Sequence, residues 1–316
     1  MGKARVAENI PITVIANMLI FMIHIIISNQ FFSNFIILFN IMKFKGIIFD
    51  MDGVLRIGDH PMPNVNKILE LLKENKCPYM ISTNECRYTE KDLRDNLEEL
   101  GISVTPECCI YTSGMAVRDY LEEKITKNIQ KNYSIGIIGE VGLFETINEL
   151  SKYDNFKICD IPPKYDTHLI LIIGTLNKIK ISNLEKGLKW IKAGAKIIKT
   201  CGDTTDPSSK GDYNLGMPSH ILHLLEYNIK VPRTYSLGKP HPIHLKKIKS
   251  IFPDTNNREL LFVGDTLSTD IQLAEESDMT SCLVLSGNTK RETLKNFIIE
   301  PDYIIDSIKN LKDIII

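Results

Sequence analysis

The sequence predicts an α/β fold with a parallel sheet, and two observations support this prediction. After Met42, short segments of β-branched and aromatic residues alternate with segments whose apolar residues recur at helical spacing. This alternation is typical of parallel strands joined by right-handed crossovers. In addition, carboxylate, hydroxyl and amide side chains follow several of the apolar segments, where strands should end. Because ligands bind beyond the carboxyl ends of the strands in such sheets, a functional site is expected there.

The first predicted strand, Gly46–Phe49, is apolar and too short for a helix. Asp50 and Asp52 follow it directly, and Gly53 can adopt backbone angles that a side chain would forbid. Asn64 is a suitable N-cap for a helix whose apolar residues have the i, i+3, i+4, i+7 spacing. The members of that apolar stripe are Val65, Ile68, Leu69 and Leu72.

The second predicted strand, residues 78–83, ends at Thr83-Asn84-Glu85. A helix is expected to begin at Thr89, with Asp92 three residues later in a pattern close to a capping box. The same periodicities predict later strands at 133–139, 168–173, 195–200, 260–264, 281–285 and 303–305. They predict helices at 113–123, 142–150, 181–192, 218–227 and 268–276, and an irregular loop at 201–211.

Composition and charge limit the classes of function. The chain has 316 residues, of which 43% are hydrophobic and 24% charged, as in an ordinary folded protein large enough for two domains. Its net charge of −1 excludes a basic field that would recruit nucleic acid. The seven cysteines lack the CxxC or Cys/His spacing of zinc sites, so we expect reduced thiols in a cytoplasmic protein.

Residues 1–42 form an apolar extension that differs from the rest of the chain. No charged residue occurs from Ile10 to Met42, and a spanning helix needs about 20 mostly apolar residues. Lys3 and Arg5 precede the apolar stretch, as in a signal peptide, although no small-residue cleavage site is obvious. Three alternatives stay open: a membrane anchor, a signal peptide, or an upstream extension of an enzyme that begins at Met42. Membrane contact is expected only if residues 1–41 are a real anchor.

Four clusters of polar residues make chemical sense as parts of one phosphate site. They are Asp50 with Asp52, Thr83-Asn84, Gly238-Lys239-Pro240, and Gly264-Asp265 with Asp270. One carboxylate can attack phosphorus to form an aspartyl phosphate, while a second protonates the leaving alcohol and later activates water. A lysine and a hydroxyl–amide pair can bind the phosphoryl oxygens. Crowded carboxylates repel one another unless a divalent cation neutralises them, and hard oxygen ligands favour Mg²⁺.

Together the clusters resemble, in the expected order, the four motifs of the haloacid dehalogenase-like (HAD) superfamily of phosphohydrolases. The matching segments are Asp50-Met51-Asp52-Gly53-Val54, Ser82-Thr83-Asn84, Gly238-Lys239-Pro240 and Gly264-Asp265-Thr266-Leu267-Ser268-Thr269-Asp270. The resemblance covers the chain from about Lys43 to its end and implies a Rossmann-like core.

The resemblance also implies a role for each polar residue. Asp50 is the nucleophile, and Asp52 is the general acid and base. The implied cofactor is Mg²⁺, and its implied ligands are Asp50, Asp52 (through the backbone carbonyl), Asp265 and Asp270 (through water). The phosphoryl group is bound by Thr83, Asn84 and Lys239, the last of which also steadies the nucleophile.

The spacing between the clusters indicates where a second domain lies. Thr83 comes 33 positions after Asp50, which leaves room for one helix and one strand. Lys239 comes 156 positions after Thr83, far more than a crossover needs, so a domain must be inserted there. It resembles the large α/β cap of the class IIA branch, which includes NagD-like nucleotide phosphatases, 4-nitrophenylphosphatases and phosphoglycolate phosphatases. The expected division is core at 43–122, cap at 123–231 and core at 232–316, with homodimerisation through the cap left open.

Two segments depart from the pattern of this branch. The second motif usually reads Thr-Asn-Asn, whereas here Glu85 follows Asn84; the Glu form also occurs in phosphatases acting on phospholysine, phosphohistidine and pyrophosphate. The cap loop usually reads Thr-Asn-x-Asp, whereas here it reads Thr200-Cys201-Gly202-Asp203. Asp203 keeps the acidic position and is a candidate substrate-binding residue, while Cys201 replaces an amide.

The expected function is a Mg²⁺-dependent phosphatase acting on a small phosphorylated metabolite. One alternative is a phosphotransferase, but mutases of this superfamily carry their cap between the first two motifs. A second is a phosphatase of the phospholysine, phosphohistidine or pyrophosphate type. A third is a binding protein on the same fold, which would typically lack the nucleophile. His241 and His244 follow Lys239 and are expected to face solvent at the start of a helix.

Overall fold

The computed structural model describes residues 42–164, 167–203, 217–296 and 298–316. The alternatives for residues 1–41 and most of the loop expected at 201–211 fall outside these ranges. Lys43–Ile315 form one compact unit, which contains two parallel sheets. Within the described ranges, no helix combines the length and apolar character that crossing a membrane requires.

The first sheet has six parallel strands, and the strand that precedes Asp50 lies near its centre. In spatial order they are β13 (Tyr303–Ile305), β12 (Thr280–Val284), β11 (Leu260–Gly264), β1 (Gly46–Phe49), β4 (Tyr79–Thr83) and β5 (Ile110–Thr112). Phe49 lies beside Val263 of β11 and Ile81 of β4. Every residue of β1, β4 and β11 is buried, as is usual in the middle of a parallel sheet. The predicted fold class is confirmed.

Helices alternate with the strands, as the periodicity predicted. They are α1 (Val65–Glu74), α2 (Glu90–Glu99), α3 (Ser113–Lys127), α4 (Val141–Asn148), α5 (Ile181–Lys192), α6 (Pro218–Glu226), α7 (Ile243–Ile251), α8 (Gln272–Glu276) and α9 (Lys312–Ile315). α1 buries the predicted stripe. At the start of α2, Thr89 and Asp92 form the predicted capping box, in which the Asp92 amide donates to the Thr89 hydroxyl over 3.1 Å. A hairpin of β2 (Arg56–Ile57) and β3 (His60–Pro61) follows β1.

The second sheet lies in the long segment between the second and third motifs. Its parallel strands, in spatial order, are β10 (Thr234–Ser236), β9 (Lys196–Lys199), β8 (His168–Ile173), β6 (Tyr133–Ile138) and β7 (Phe156–Ile158). Trp190 of α5 is fully buried against this sheet together with Ile221 of α6. A Cβ atom at Gly136 would lie 2.4 Å from the Trp190 ring, so only glycine allows this close packing.

Two details of the fold differ from the sequence-based expectations. β10 pairs with β9 of the second sheet although it follows residue 231, where the cap was expected to end; the domain boundaries themselves stay a prediction. The helix expected at 268–276 begins as a wide π-helical turn, Leu267–Ile271, before α8. Such turns occur frequently at functional sites, and this one carries Asp270.

Candidate active site

Asp50 lies directly beyond β1, at the carboxyl edge of the first sheet. Its side chain is buried, and its backbone amide donates to the carbonyl of Val263 over 2.8 Å. Gly53, with φ of 84°, turns the chain back over the site. A Cβ atom there would lie 2.4 Å from Oδ2 of Asp265, so the turn requires glycine on both counts.

Lys239 connects three segments of the site. Its Nζ atom lies 2.6 Å from Oδ1 of Asp50 and 2.6 Å from Oδ1 of Asp270, and it donates to the backbone carbonyl of Ser82 over 2.8 Å. The lysine side chain is only 2% exposed. Burial lowers its pKa, but the carboxylates of Asp270 and Asp50 outweigh this effect and raise the pKa above the usual range. Lys239 is therefore a permanent cation in the site.

Asp265 and Asp270 are held by backbone amides beyond β11. Oδ2 of Asp270 accepts hydrogen bonds of 3.1 Å from the amides of both Asp265 and Thr266. Oδ2 of Asp265 accepts a 2.7 Å bond from the amide of Asn288, and its Oδ1 accepts from the Thr266 hydroxyl over 2.8 Å. The π-helical turn brings the Asp270 carboxylate back to these amides, which fixes both carboxylates in orientation.

The carboxylates of Asp50, Asp265 and Asp270 fit a hard divalent cation. Each offers one oxygen, and the three oxygens all lie within 4.8 Å of one another in a buried environment. Burial, followed by repulsion from Asp270, raises the pKa of Asp265 to about 7. Burial and the neighbouring carboxylates also raise the pKa of Asp50 well above its usual range, against the opposing effect of Lys239. A cation would offset this repulsion, and oxygen ligands of this kind suit Mg²⁺.

Asp52 lies at the same edge but points toward a different partner. Its Oδ1 accepts from Nε of Arg56 over 3.0 Å, and the guanidinium also bonds to Oδ1 of Asn96. Arg56 is nearly buried, whereas Asp52 keeps partial exposure. The carboxylate of Asp52 is not part of the three-carboxylate cluster found among the described residues. The predicted contribution of its backbone carbonyl to metal binding stays a prediction.

Thr83 and Asn84 form the third side of the site. Thr83 is the last residue of β4, and its hydroxyl accepts from the amide of Glu85 over 3.1 Å. Oδ1 of Asn84 accepts from the amide of Lys239 over 2.8 Å, and its Nδ2 donates to Oδ2 of Asp203 over 2.7 Å. Asn84 thus connects the second motif, the third motif and the loop after β9.

Glu85, the departure in the second motif, lines the same cavity as Asp50 and Asp265 and bonds to the residues that follow it in sequence. It accepts from the amides of Cys86 and Arg87 over 2.8 and 2.6 Å, and from Nε of Arg87 over 3.0 Å. Burial favours a raised pKa for Glu85, but the bonds from Arg87 outweigh it and lower the pKa. The Arg87 guanidinium also donates to Oδ1 of Asn177 over 3.1 Å. The pair therefore connects the second motif to the second sheet.

The carboxyl ends of the second sheet's strands meet the second motif. The amide of Thr175 and the hydroxyl of Thr200 donate to Sγ of Cys86 over 3.3 and 3.4 Å. Burial, opposed by the bond from Asn84, raises the pKa of Asp203. Cys201 is fully buried, and burial raises its pKa, so it is a packed thiol rather than a group exposed to a ligand. These contacts place Asp203 above the edge that carries Asp50.

One cavity collects nearly all of the predicted site residues. Its lining includes Asp50, Asp52, Thr83, Asn84, Asp203, Lys239 and Asp265. Asp270 lies behind them, fully buried against Lys239. Residues that lie far apart in the sequence therefore meet at one edge of the first sheet, as expected for the carboxyl ends of parallel strands.

The expectation that His244 faces solvent is wrong. His244 is fully buried on α7, and its Nδ1 lies 3.0 Å from the hydroxyl of Ser82, which sits on β4. Burial, followed by the charge of Lys239, lowers the pKa of His244 to about 3, so its ring is neutral. His241 is only partly buried. The first turn of α7 packs onto the sheet beneath Lys239. The spacing of His241 and His244 in the sequence does not predict this packing.

Sequence reasoning also missed two polar partners of the carboxylates. Asn288 follows β12, the neighbour of β11, and its Nδ2 donates to the hydroxyl of Thr266 over 3.0 Å. The signal in the sequence is the position of a polar residue shortly after a strand, as for Asp50 and Asp265. Arg56 lies four residues after Asp52 across a turn, where the helical i, i+4 rule does not apply, so the sequence carries no signal for the ion pair.

Comparison with known proteins agrees with this geometry. Residues 47–151 match the family described as haloacid dehalogenase-like hydrolase, and residues 236–311 match the family described as HAD-hydrolase-like. The chain is 27% identical to the 5'-nucleotidase YutF of Bacillus subtilis over 265 residues, covering 84% of this chain and 96% of that one. It is 27% identical to the ribonucleotide monophosphatase NagD of Escherichia coli over 270 residues, covering 85% and 99%.

A solved structure supports the same assignment. The hypothetical protein PH1952 of Pyrococcus horikoshii superposes with a TM-score of 0.71 and 29% identity, over 85% of this chain and 98% of that one. Family matches over residues 47–151 and 236–311, relatives matched over nearly their full length and a common fold lead to one conclusion. The chain belongs to the haloacid dehalogenase-like hydrolases, in the branch of phosphatases that includes NagD.

Proposed function

We propose that this protein is a Mg²⁺-dependent phosphatase that hydrolyses small phosphomonoesters through a phosphoryl group carried on Asp50. The observation that supports this most strongly is the buried contact of 2.6 Å between Nζ of Lys239 and Oδ1 of Asp50. A carboxylate that is also crowded by Asp265 and Asp270 would take up a proton and lose its nucleophilicity. The lysine opposes this protonation, and a cation bound by the same carboxylates would add to its effect and make Asp50 available to attack phosphorus.

The first half-reaction transfers the phosphoryl group to Asp50. An oxygen of the Asp50 carboxylate forms a bond to phosphorus, and the bond from phosphorus to the leaving oxygen breaks. Asp52 donates a proton to that oxygen, which departs as an alcohol. The hydroxyl of Thr83 and the ammonium of Lys239 line the same cavity and can bind the non-bridging phosphoryl oxygens.

The second half-reaction releases inorganic phosphate. Asp52, now ionised, accepts a proton from water, and the water oxygen attacks phosphorus while the bond to Asp50 breaks. The Arg56 contact of 3.0 Å holds the Asp52 carboxylate at the cavity wall for both proton transfers. Asp50 and Asp52 return to their starting states, so the cycle is balanced.

Asp50, Asp265 and Asp270 would hold the Mg²⁺ ion, which when bound offsets the negative charge of the transferring phosphoryl group. The three carboxylates are already oriented by Lys239 and by the amides of Asp265, Thr266 and Asn288. The ligands of this cluster are all carboxylates, and no thiolate or imidazole belongs to it among the described residues. Ligands of this kind favour Mg²⁺ over a softer metal.

The proposed substrates are small phosphate esters. The names of the relatives indicate a class of substrates and not a single compound. The names of two relatives are 5'-nucleotidase and ribonucleotide monophosphatase. The part of the cavity away from the carboxylates includes Arg87, Thr175 and Met217, which would contact the leaving group. These residues mix one cation, one hydroxyl and one thioether, so a polar leaving group of modest size fits best.

A panel of phosphate esters tests this function. Purified protein is incubated with 4-nitrophenyl phosphate, nucleoside monophosphates and sugar phosphates, in Mg²⁺ or in EDTA, and released phosphate is measured. Release in Mg²⁺ that stops in EDTA is expected, and Asp50→Asn should remove it. The exposed Asp59→Asn serves as the matched control. Equal release by the Asp50→Asn protein would contradict the proposal.

A further inference from the structure

A second cavity lies at the opposite edge of the second sheet from the active site. The strands of this sheet are parallel, and their carboxyl ends lead to Thr175 and Thr200, which contact Cys86, two residues after Asn84 of the second motif. The amino ends of β6, β8, β9 and β10 therefore lie at the other edge. There, together with the C-terminal half of α3, they line a groove with a volume of about 690 Å³. This volume is within the usual range for a small-molecule site.

The groove is positively charged. Its lining includes Lys124, Lys131, Lys196 and His168, and no aspartate or glutamate belongs to the lining found in the described part of the chain. None of the three lysines forms an ion pair with a described residue, in contrast to the neighbouring Lys127, which pairs with Glu123. Three ammonium groups from separate segments around one concave surface attract an anion, because concave surfaces focus the field of like charges.

The groove is also aromatic. The ring of Tyr133 packs against the ring of His168 with centroids 5.5 Å apart, and Tyr120 lies beneath the ammonium of Lys124 at 5.2 Å. Tyr235, at the start of β10, is 42% exposed, and the guanidinium of Arg233 lies 5.6 Å from its ring centroid. Tyrosine rings and guanidinium planes of this kind are the surfaces on which nucleobases stack.

We propose that this groove binds a nucleoside diphosphate, as a ligand site separate from the active site. The lysines would pair with the phosphate oxygens, and the exposed rings of Tyr235 and His168 would stack on the base. A simple anion such as pyrophosphate would fill little of the volume and use none of the rings. The proposal does not depend on the proposed phosphatase activity, since no catalytic residue lines the groove.

The position of the groove suggests what the ligand would influence. It lies where the chain passes from α3 into β6 and where it returns through β10. A ligand that contacts Lys131 and Tyr235 would connect the segment between α3 and β6 with β10. Cavities where two parts of a chain meet are common ligand sites.

Isothermal titration calorimetry of ADP binding to the full-length protein tests the proposal. The protein carries Asp50→Asn and the buffer contains EDTA, so that ADP is not hydrolysed during the titration. The groove variant is Lys131→Glu with Lys196→Glu, and the matched control is Lys67→Glu with Lys73→Glu on α1, which makes the same change in net charge. We expect saturable ADP binding that weakens about tenfold or more in the groove variant and stays unchanged in the control. Tyr235→Ala should weaken ADP binding about tenfold while leaving pyrophosphate binding almost unaffected.

Three results would overturn the proposal. The first is the absence of ADP binding, and the second is equal ADP affinity in the groove variant and the control, which would locate any binding elsewhere. The third is pyrophosphate binding as tight as that of ADP, which would reduce the groove to a site for simple anions. These binding measurements do not require turnover. They would therefore test the groove even if the unsubstituted protein had no phosphatase activity.

Discussion

Nζ of Lys239 lies 2.6 Å from Oδ1 of Asp270, and both side chains are almost fully buried, at 2% and 1% exposure. The same ammonium contacts Asp50 at the same distance. One cation thus serves two carboxylates, while Asp265 beside them carries a further negative charge. Because breaking a buried pair leaves an uncompensated charge, Lys239 contributes to the stability of the site as well as to its chemistry.

Replacement of Lys239 by methionine should destabilise the metal-free protein. We expect Lys239→Met to lower the free energy of unfolding by about 3 kcal/mol at pH 8 in EDTA, because two buried carboxylates lose their cation. Urea denaturation measures this value. The deficit should shrink as the pH falls, since the freed carboxylates can then take up protons.

The matched control for this variant is Lys45→Met, which removes an exposed ion pair with Glu259. Exposed pairs contribute little to stability, so the control should unfold almost like the parent protein. Phosphatase activity should be lost in Lys239→Met only. If Lys239→Met were as stable as the control at pH 8, the contacts of Lys239 with Asp50 and Asp270 would not contribute to the free energy of unfolding.

The pH dependence of stability follows from Asp265, whose pKa rises to about 7 in the folded protein from its ordinary value of 3.8. Between these two values the folded state holds a proton that the unfolded state has released. Stability in EDTA should therefore fall as the pH rises from about 4 to 7, and the contribution of Asp265 should level off above 7.

Mg²⁺ should reverse this trend, because the ion binds the ionised carboxylates and protons compete with it. A concentration of Mg²⁺ one hundred times its dissociation constant should stabilise the protein by about 2.7 kcal/mol. We expect the Mg²⁺-dependent rise in Tm to be larger at pH 8 than at pH 5.5, and to vanish in Asp265→Asn. An equal rise at both pH values would argue against binding at these carboxylates.

Much of the fold and site could be predicted from sequence because both depend on short-range patterns. The apolar segment ending at Phe49 and the polar residues after it define a strand and its tip without reference to the rest of the chain. Parallel strand ends share one edge, so Asp50, Thr83 and Asp265 could be brought together before their contacts were known.

The features that escaped prediction depend on tertiary packing. His244 looks like a surface residue at a helix start, yet α7 presses it against Ser82 of β4, and no local pattern reports that contact. β10 is a three-residue strand whose sheet is decided by its pairing with β9, not by its composition. Asn288 binds Asp265 through its backbone amide, which any residue type could supply, and only its side-chain bond to Thr266 depends on its identity.

Close packing between α4 and the segment that follows the second motif can be tested at Gly142. A Cβ atom there would lie 2.4 Å from Cα of Tyr88, and the Gly142 amide donates to the carbonyl of Arg87 over 3.1 Å. Gly142→Ala should therefore lower the free energy of unfolding by about 1–3 kcal/mol and raise KM, because backbone atoms must move apart.

Gly114, also in a helix, is the matched control for this prediction. The nearest atom to a Cβ there would be 3.4 Å away, which is ordinary contact. Gly114→Ala should match or exceed the stability of the parent protein by up to about 1 kcal/mol, since alanine favours helices. Thermal unfolding of the two variants side by side checks the difference, and equal stability would contradict the importance of the close contact.

The chemical identity of the nucleophile is the central claim, and trapping the phosphorylated enzyme tests it most directly. The protein is mixed with 4-nitrophenyl phosphate and Mg²⁺, quenched during turnover, and treated with borohydride, which reduces an aspartyl phosphate to an alcohol but leaves free carboxylates intact. Peptide mass spectrometry should locate the alcohol at residue 50, and Asp50→Asn should show none and lose about a thousandfold or more in kcat. Reduction at another carboxylate, or unimpaired turnover without reduction at residue 50, would contradict the account.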